Sequence, residues 1–383
     1  MDVATVNVSI PGVEEATEMP LIGGMIGNFF GGSKLGMVPG KWLDLALYTR
    51  QKPAGTSGNH AIPPGQNMGA SLPLEPVPKP QPGGTAPDTK PEDVERQKPK
   101  GRLLLYWGCG EAVRPGQPKI LDMATAGPMD FAKFFVGRYA PERGATSEPG
   151  RAIWPNERDR QRVPKDASLR GDHAISGEGV PPSLKFAIGE RQDFMAPMEI
   201  AASGPIGGPT PLTWTSIPTA QGYFLQAMGF RQDGNEMIIW TSSEVQDTGW
   251  GLMTWLPNDF VRRMISEKVV LPASTTSCTI PKGVFEGVEG AMVNGIAYGE
   301  EQNLAHPPRP TDPKIAWEPI WAVKVRVKSV GMTPLGMEER AERRGARRGD
   351  ERTPTGGAAA PKPASPVDEA SEAMKGLRKL LPF

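Results

Sequence analysis

Residues 212–243 read LTWTSIPTAQGYFLQAMGFRQDGNEMIIWTSS, and this stretch decides the fold. Three apolar runs, at 212–214, 222–230 and 237–240, are separated by short connections that contain Pro, Gly, Asp and Asn. Short apolar runs bounded by such residues are typical of β-strands, and the connection QDGN has the composition of a hairpin turn. The stretch therefore predicts three strands joined by two short turns.

Similar runs flank this stretch on both sides. Residues 3–10, 42–49 and 321–330 alternate between apolar and polar side chains, which is the period of a half-buried strand. Further short strands are predicted at 102–107, 119–123, 184–188, 194–201, 277–280 and 291–298. Helical spacing is limited to a short segment at 129–139 and to 258–267, so the predicted fold class is mainly β.

The chain of 383 residues contains 42 Pro and 46 Gly, which indicates unstructured connections between the ordered parts. Residues 51–100 are predicted to be a disordered linker, because they offer too little apolar surface to offset the entropy of ordering. The tail 331–383 is predicted to be disordered except for a terminal amphipathic helix over 366–380. The other predicted divisions are 1–50 (N-terminal strands and a Gly/Met-rich segment), 101–183 (a first β region with a long loop) and 184–330 (a β-sandwich with an inserted helix).

Charge and targeting signals narrow the classes of partner. Lys plus Arg and Asp plus Glu number 43 each, which argues against nucleic acid, since phosphate attraction carries most of that binding. The longest apolar stretch, 21–32, is shorter than the roughly 20 residues that a membrane helix needs, so no transmembrane span is predicted. The residues after Met1 show no basic and apolar leader, which leaves a cytosolic protein or a chain without its signal peptide.

One part of the chain resembles a known sandwich. The run LTW (212–214), then Ala220, Gly222 and Tyr223, then IIWTSS (238–243), resembles strands B, C and C′ of a fibronectin type III-like domain. The resemblance implies one or two fibronectin III/Ig-like β-sandwich domains. It also implies that Trp214 packs beneath Tyr223.

A second resemblance covers residues 101–330. The segments RLLLYWGCGE (102–111), GQPKILDMA (116–124), TSCTIP (276–281), AYGEE (297–301) and PPRP (307–310) are similar to a set of uncharacterised proteobacterial exported proteins. That group has no assigned activity. The resemblance implies a periplasmic or cell-envelope location, with a cytoplasmic location as the alternative, and it supplies no catalytic residues.

The candidate site residues are cysteines and tryptophans. Cys109 and Cys278 lie at the ends of predicted strands, and an exported location would let them form a disulfide; two separately buried thiols are the alternative. Nine Trp is a high count, and aromatic platforms hold sugars in many β-sandwiches. The tryptophans near predicted turns are candidates for such a platform: Trp250, Trp255, Trp317 and Trp321.

Motifs for catalysis, cofactors and metals are weak. A nucleophilic Cys109 with His173 as base, or a metal held by Asp172, His173 and His306, lacks any spacing that presets the geometry. We therefore predict no catalytic residue, no metal and no cofactor. The favoured function is a non-enzymatic cell-envelope binding or scaffold protein, with a protein or glycan partner. A carbohydrate-binding or carbohydrate-active β-sandwich is the alternative.

Overall fold

The computed structural model describes residues 1–9, 38–78, 101–231, 235–288, 290–312 and 314–336. The fold is mainly β, with 39% strand against 8% helix. The strands are β1 Asp2–Val8, β2 Gly40–Leu47, β3 Gly58–Ala61, β4 Ser71–Pro76, β5 Arg102–Trp107, β6 Lys119–Asp122, β7 Ala152–Trp154, β8 Gly171–Gly177, β9 Lys185–Ile188, β10 Ile200–Ala202, β11 Thr210–Trp214, β12 Gly222–Arg231, β13 Glu236–Thr241, β14 Leu271–Pro272, β15 Ser277–Ile280, β16 Ala291–Tyr298, β17 Gln302–His306 and β18 Trp321–Leu335. The α-helices of the described ranges are α1 Pro128–Phe134 and α2 Asn258–Ser266, and two short 3-10 helices cover Pro64–Gln66 and Glu190–Gln192.

One large sheet organises the molecule. Its strand order is β6-β5-β13-β12-β16-β18-β1-β2-β7-β4-β3-β8-β9, with β14 beside β12 and β17 beside β18. Strand β1 runs parallel to β18 and antiparallel to β2, so the N-terminal strand joins the two halves of this sheet. A second sheet has the order β10-β11-β15.

The central hairpin follows directly from the decisive stretch. Strands β12 and β13 pair antiparallel from Gln226 opposite Thr241 to Arg231 opposite Glu236. All six residues of β13 are buried, as a continuous apolar run predicts for a strand that is covered on both faces. The three strands predicted in 212–243 are therefore confirmed.

The small sheet packs on the large one through aromatic and glycine contacts. The rings of Trp214 on β11 and Tyr223 on β12 are 5.5 Å apart, which is the contact that the sandwich resemblance implied. Where the small sheet comes closest, a Cβ on Gly295 would stand 2.6 Å from Ile200 Cδ1, and one on Gly331 would stand 2.2 Å from the Met198 carbonyl oxygen. Glycine is required at both positions because any side chain would hold the sheets apart.

The linker prediction for 51–100 is wrong over its first half. Strands β3 and β4 pair with each other, and Leu72 and Leu74 are buried. The segment SLPLEP alternates, so both leucines point into the core while the prolines occupy positions that the ladder tolerates. The high Pro content concealed this pattern. Residues 79–100 lie outside the described part of the chain.

The predicted division at 183/184 is also corrected. Strands β8 and β9 pair across it, and β5 pairs in parallel with β13, so the strands on both sides belong to one sheet. Strand β7 lies within 101–183, in the part of that region predicted to be a long loop, and within 194–201 only the end is strand, as part of β10. Strand β18 continues past 330 to Leu335.

Two further predictions concern residues that the structure does not describe. The Gly/Met-rich segment falls mostly in 10–37, and the terminal helix 366–380 falls in 337–383. None of the helices in the described ranges has the length and apolar character needed to cross a membrane.

Candidate binding groove

A groove opens where the start of β2 meets β7 and the end of β4. Its volume is about 860 Å³, within the range of roughly 300–1,000 Å³ that is usual for ligand sites. Residues 155–163 close one side of the groove. The lining from the strands comprises Gly40, Lys41, Trp42, Leu43, Glu75, Pro76, Ile153 and Trp154, with Val38 and Pro39 preceding β2 and Val77 and Pro78 following β4.

Asn156 shapes this side of the groove. Its Nδ2 donates to the carbonyl oxygens of Pro73 and Ile153 at 2.7 and 2.8 Å, and its Oδ1 accepts the backbone N–H groups of Arg158 and Asp159, both at 3.0 Å. Such an Asx turn reverses the chain directly after β7. The chain then runs back along the rim and forms an antiparallel bridge between Val163 and Lys41.

Trp42 supplies the aromatic wall. Its indole N–H donates to the Val38 carbonyl oxygen at 3.1 Å, so its polar atom is already bonded. The side chain is half-buried and lines the groove. It therefore offers the groove an apolar ring face.

Arginines at alternate positions form the rim. Arg158, Arg160 and Arg162 are exposed and line the groove. Arg158 Nη1 lies 3.1 Å from Glu75 Oε1, and Arg160 Nε donates to the Asn156 carbonyl oxygen at 3.3 Å. With Lys41, the lining holds four cations against the two carboxylates of Glu75 and Glu157, a difference of two.

Lys41 is held at the base of the rim. Its Nζ donates to the Ala167 carbonyl oxygen at 2.7 Å and lies 5.2 Å from the centroid of the Phe194 ring. Burial lowers the pKa of Lys41, and the carboxylates of Asp193 and Asp166 oppose that shift. The ammonium is thus bonded to the protein, which leaves the arginines as the outward-facing cations of the groove.

The four tryptophans of the predicted platform lie in three places. Trp255 is buried, with its N–H on the Val3 carbonyl oxygen at 3.0 Å, and Trp250 packs on Phe135 with the rings 4.9 Å apart. Trp317 and Trp321 lie together at the β17–β18 connection. The structure therefore does not bring the four into one surface.

The sequence prediction missed the residues of the groove, although the arginines among them form a recognisable pattern in the sequence. The run RDRQR at 158–162 places arginines at every second position, which puts them on one side of an extended chain. Trp42 was assigned to a strand face without a role. Their meeting depends on the bridge from Val163 to Lys41, which joins residues more than a hundred positions apart.

The two cysteines form a disulfide in the structure, with their Cα atoms 5.2 Å apart and 169 positions between them in sequence. Cys109 follows β5 of the large sheet, and Cys278 lies on β15 of the small sheet. The bridge therefore ties the two sheets together. It also occupies the sulfur that a nucleophilic Cys109 would need.

Two of the three histidines lie side by side, and His306 lies elsewhere. His60 Nε2 and His173 Nδ1 lie 3.0 Å apart in the buried interior, and His173 Nε2 lies 2.7 Å from the Leu169 carbonyl oxygen. Burial lowers the pKa of His60 to about 3. His306 is exposed at the end of β17. Within the described ranges, no cluster of three or more His, Cys, Asp or Glu residues could hold a metal ion.

A second group of cations lies inside the fold. Arg326 on β18 makes a two-pronged ion pair with Asp2 on β1, with Nε–Oδ1 and Nη2–Oδ2 distances of 2.6 and 2.7 Å. Lys328 Nζ lies 3.8 Å from the centroid of the Trp255 ring. Burial lowers the pKa of Lys328 to about 7. We call Asp2, Trp255, Arg326 and Lys328 the buried charge cluster.

Comparisons of the chain with protein-family models, with curated proteins and with solved structures each return no match.

Proposed function

We propose that the protein is a non-enzymatic binding protein of the cell envelope and that its groove holds a glycan. The observation that carries the proposal is the groove itself, whose lining combines the half-buried ring of Trp42 with the exposed polar side chains of Arg158, Arg160 and Arg162. A pyranose ring has an apolar C–H face and a polar edge. A site with one aromatic wall and one polar wall matches both.

The polar side chains of the groove support binding rather than chemistry. Glu75 Oε1 is paired with Arg158, and Glu75 Oε2 accepts the Ser57 hydroxyl at 3.0 Å. The side-chain amide of Asn156 makes four hydrogen bonds to backbone groups. These four hydrogen bonds of Asn156 hold the shape of the groove, which favours a preformed site that a ligand fills.

The envelope location is supported by the disulfide. Disulfides form and persist in oxidising compartments such as the bacterial periplasm and are rare in the cytosol. The bridge between Cys109 and Cys278 closes a loop of 169 positions. The resemblance of residues 101–330 to exported proteins points to the same compartment.

A titration against a glycan panel tests the proposal. We expect isothermal titration calorimetry with neutral and acidic envelope oligosaccharides to show saturable binding by the wild-type chain. Trp42→Ala should weaken that binding at least about tenfold, because the aromatic wall is lost. Trp317→Ala is the matched control, since it removes a half-buried Trp outside the groove.

Two results would contradict the proposal. One is that no oligosaccharide of the panel binds. The other is that Trp317→Ala abolishes binding while Trp42→Ala has no effect, which would move the site to the β17–β18 connection. That connection exposes Ile315 and Ile320 by 55% and 59%, an apolar surface that favours a protein partner as the second candidate function.

A further inference from the structure

The lining of the groove is more basic than the chain as a whole. The whole chain carries a formal net charge of zero, whereas the lining of the groove has an excess of two cations. Three of the four cations come from one five-residue segment, 158–162. Local positive charge on a concave surface raises the concentration of anionic ligands there.

The arginines are placed to take an oxyanion. Arg160 Nε donates to the Asn156 carbonyl oxygen, and its Nη atoms make no hydrogen bond to the described residues. Arg158 pairs with Glu75 across the exposed rim, where its side chain is 74% exposed. A solvent-exposed pair of this kind is weak and rearranges at little cost when a second carboxylate arrives.

Arginine also has the geometry for a sugar acid. The planar guanidinium binds a carboxylate through two parallel N–H···O bonds, and it does so more specifically than lysine. Trp42, on β2, lines the same cavity and supplies an aromatic surface for a pyranose ring. A sugar acid carries both of the groups that these side chains bind, a ring face and a carboxylate.

From this geometry we infer that the groove selects acidic saccharides, with Trp42 stacking on the ring and Arg160 and Arg158 binding its carboxylate. The inference rests on the proposed function and adds the chemical class of the ligand. Positions 158 and 160 then determine specificity, while Trp42 supplies affinity for sugar rings in general.

The test compares two forms of one ligand. Oligogalacturonate and its fully methyl-esterified form share a backbone and differ in charge. By titration calorimetry in low salt, we expect the acid to bind the wild-type chain at least about tenfold more tightly than the ester. Arg160→Gln should weaken binding of the acid about tenfold and leave binding of the ester unchanged. Arg170→Gln, an exposed arginine outside the groove, makes the same change in net charge and should have no effect.

The outcomes separate the inference from the proposed function. Equal affinity for acid and ester, with both lost in Trp42→Ala, overturns the inference and leaves a neutral glycan as the ligand of the groove. An equal loss in Arg160→Gln and Arg170→Gln overturns it as well, because the attraction would then be unspecific. If a poly-glutamate peptide binds as tightly as the acid, the groove recognises negative charge without a sugar ring. That result overturns the inference. Failure of acid, ester and the neutral panel alike overturns both.

Discussion

The protein carries two groups of cations that differ in their surroundings. The arginines of the groove rim face solvent, with the Arg158 side chain 74% exposed. In the buried charge cluster, the Arg326 side chain is only 5% exposed and its partner Asp2 only 8%. Residue type alone would give both groups of cations the same role. Their burial distinguishes them, because the exposed arginines can contact a ligand and the buried charge cluster stabilises the fold.

The difference follows from what each cation is bonded to. Arg326 holds both oxygens of Asp2 and also reaches Glu142 at 3.2 Å. Burial raises the pKa of Asp2, but the Arg326 guanidinium, the N-terminal amine and the Ala145 N–H together lower it below its usual value. This pair joins β1 to β18 at the centre of the large sheet, so its loss should affect stability far more than any change at the groove.

The largest expected effect is therefore on folding. Arg326→Met should lower the free energy of unfolding by about 3–5 kcal/mol, because it leaves the Asp2 carboxylate buried without its cation. Urea unfolding followed by circular dichroism measures this change. Arg160→Met is the matched control, since an exposed arginine is expected to change stability by less than about 0.5 kcal/mol. Similar effects of the two variants would remove the distinction between the two groups.

The next effect is a dependence of stability on pH through Lys328. Burial lowers its pKa to about 7, from 10.5 in the unfolded chain. The charge of Arg326 also lowers this pKa, and the carboxylates of Asp2, Glu142 and Asp44 raise it. Below pH 7 both states bind the proton, so the folded state bears the full cost of burying the charge. Between pH 7 and 10.5 the unfolded state binds more protons, so the free energy of unfolding rises with pH.

Lys328→Met isolates this contribution. We expect the wild-type chain to gain on the order of 3 kcal/mol in stability from pH 6 to pH 9.5 through Lys328, and the variant to lack that gain. The variant should also be more stable than the wild type at pH 6. Lys324→Met, which changes a less buried lysine paired with Glu301, should retain the rise. A rise of the same size in Lys328→Met would show that Lys328 is not its source.

Much of the fold could be predicted because strand periodicity is local. The apolar runs at 222–230 and 237–240 and the alternation of 321–330 each fix a strand without reference to distant residues. Strands β3 and β4 were missed because the high Pro content conceals the alternation in β4, and because their outer neighbours β8 and β7 come from far along the chain. The pairing of β1 with β18 likewise depends on the tertiary structure, so no local sequence pattern predicts it.

The candidate site was harder to predict for the same reason. Of the four platform tryptophans, Trp255 sits near a predicted turn and is nevertheless buried, because β1 covers it and Lys328 packs on its ring. Trp42 belongs to a predicted strand and nevertheless lines the groove, because residues 155–163 form a wall beside it. Distance from a turn in sequence is a poor guide to exposure when strands from both chain ends share one sheet.

Hydrogen–deuterium exchange with and without oligogalacturonate compares the two cation groups in a single experiment. If the groove holds the ligand, backbone amides of 156–163 and of β2 near Trp42 should exchange more slowly in its presence, because their opening is suppressed when the site is filled. Amides beside Arg326 and Lys328, and those of 314–320 in the β17–β18 connection, should be unchanged. Protection confined to 314–320 of the β17–β18 connection, or the absence of protection in 156–163 at a saturating ligand concentration, would contradict the groove as the binding site.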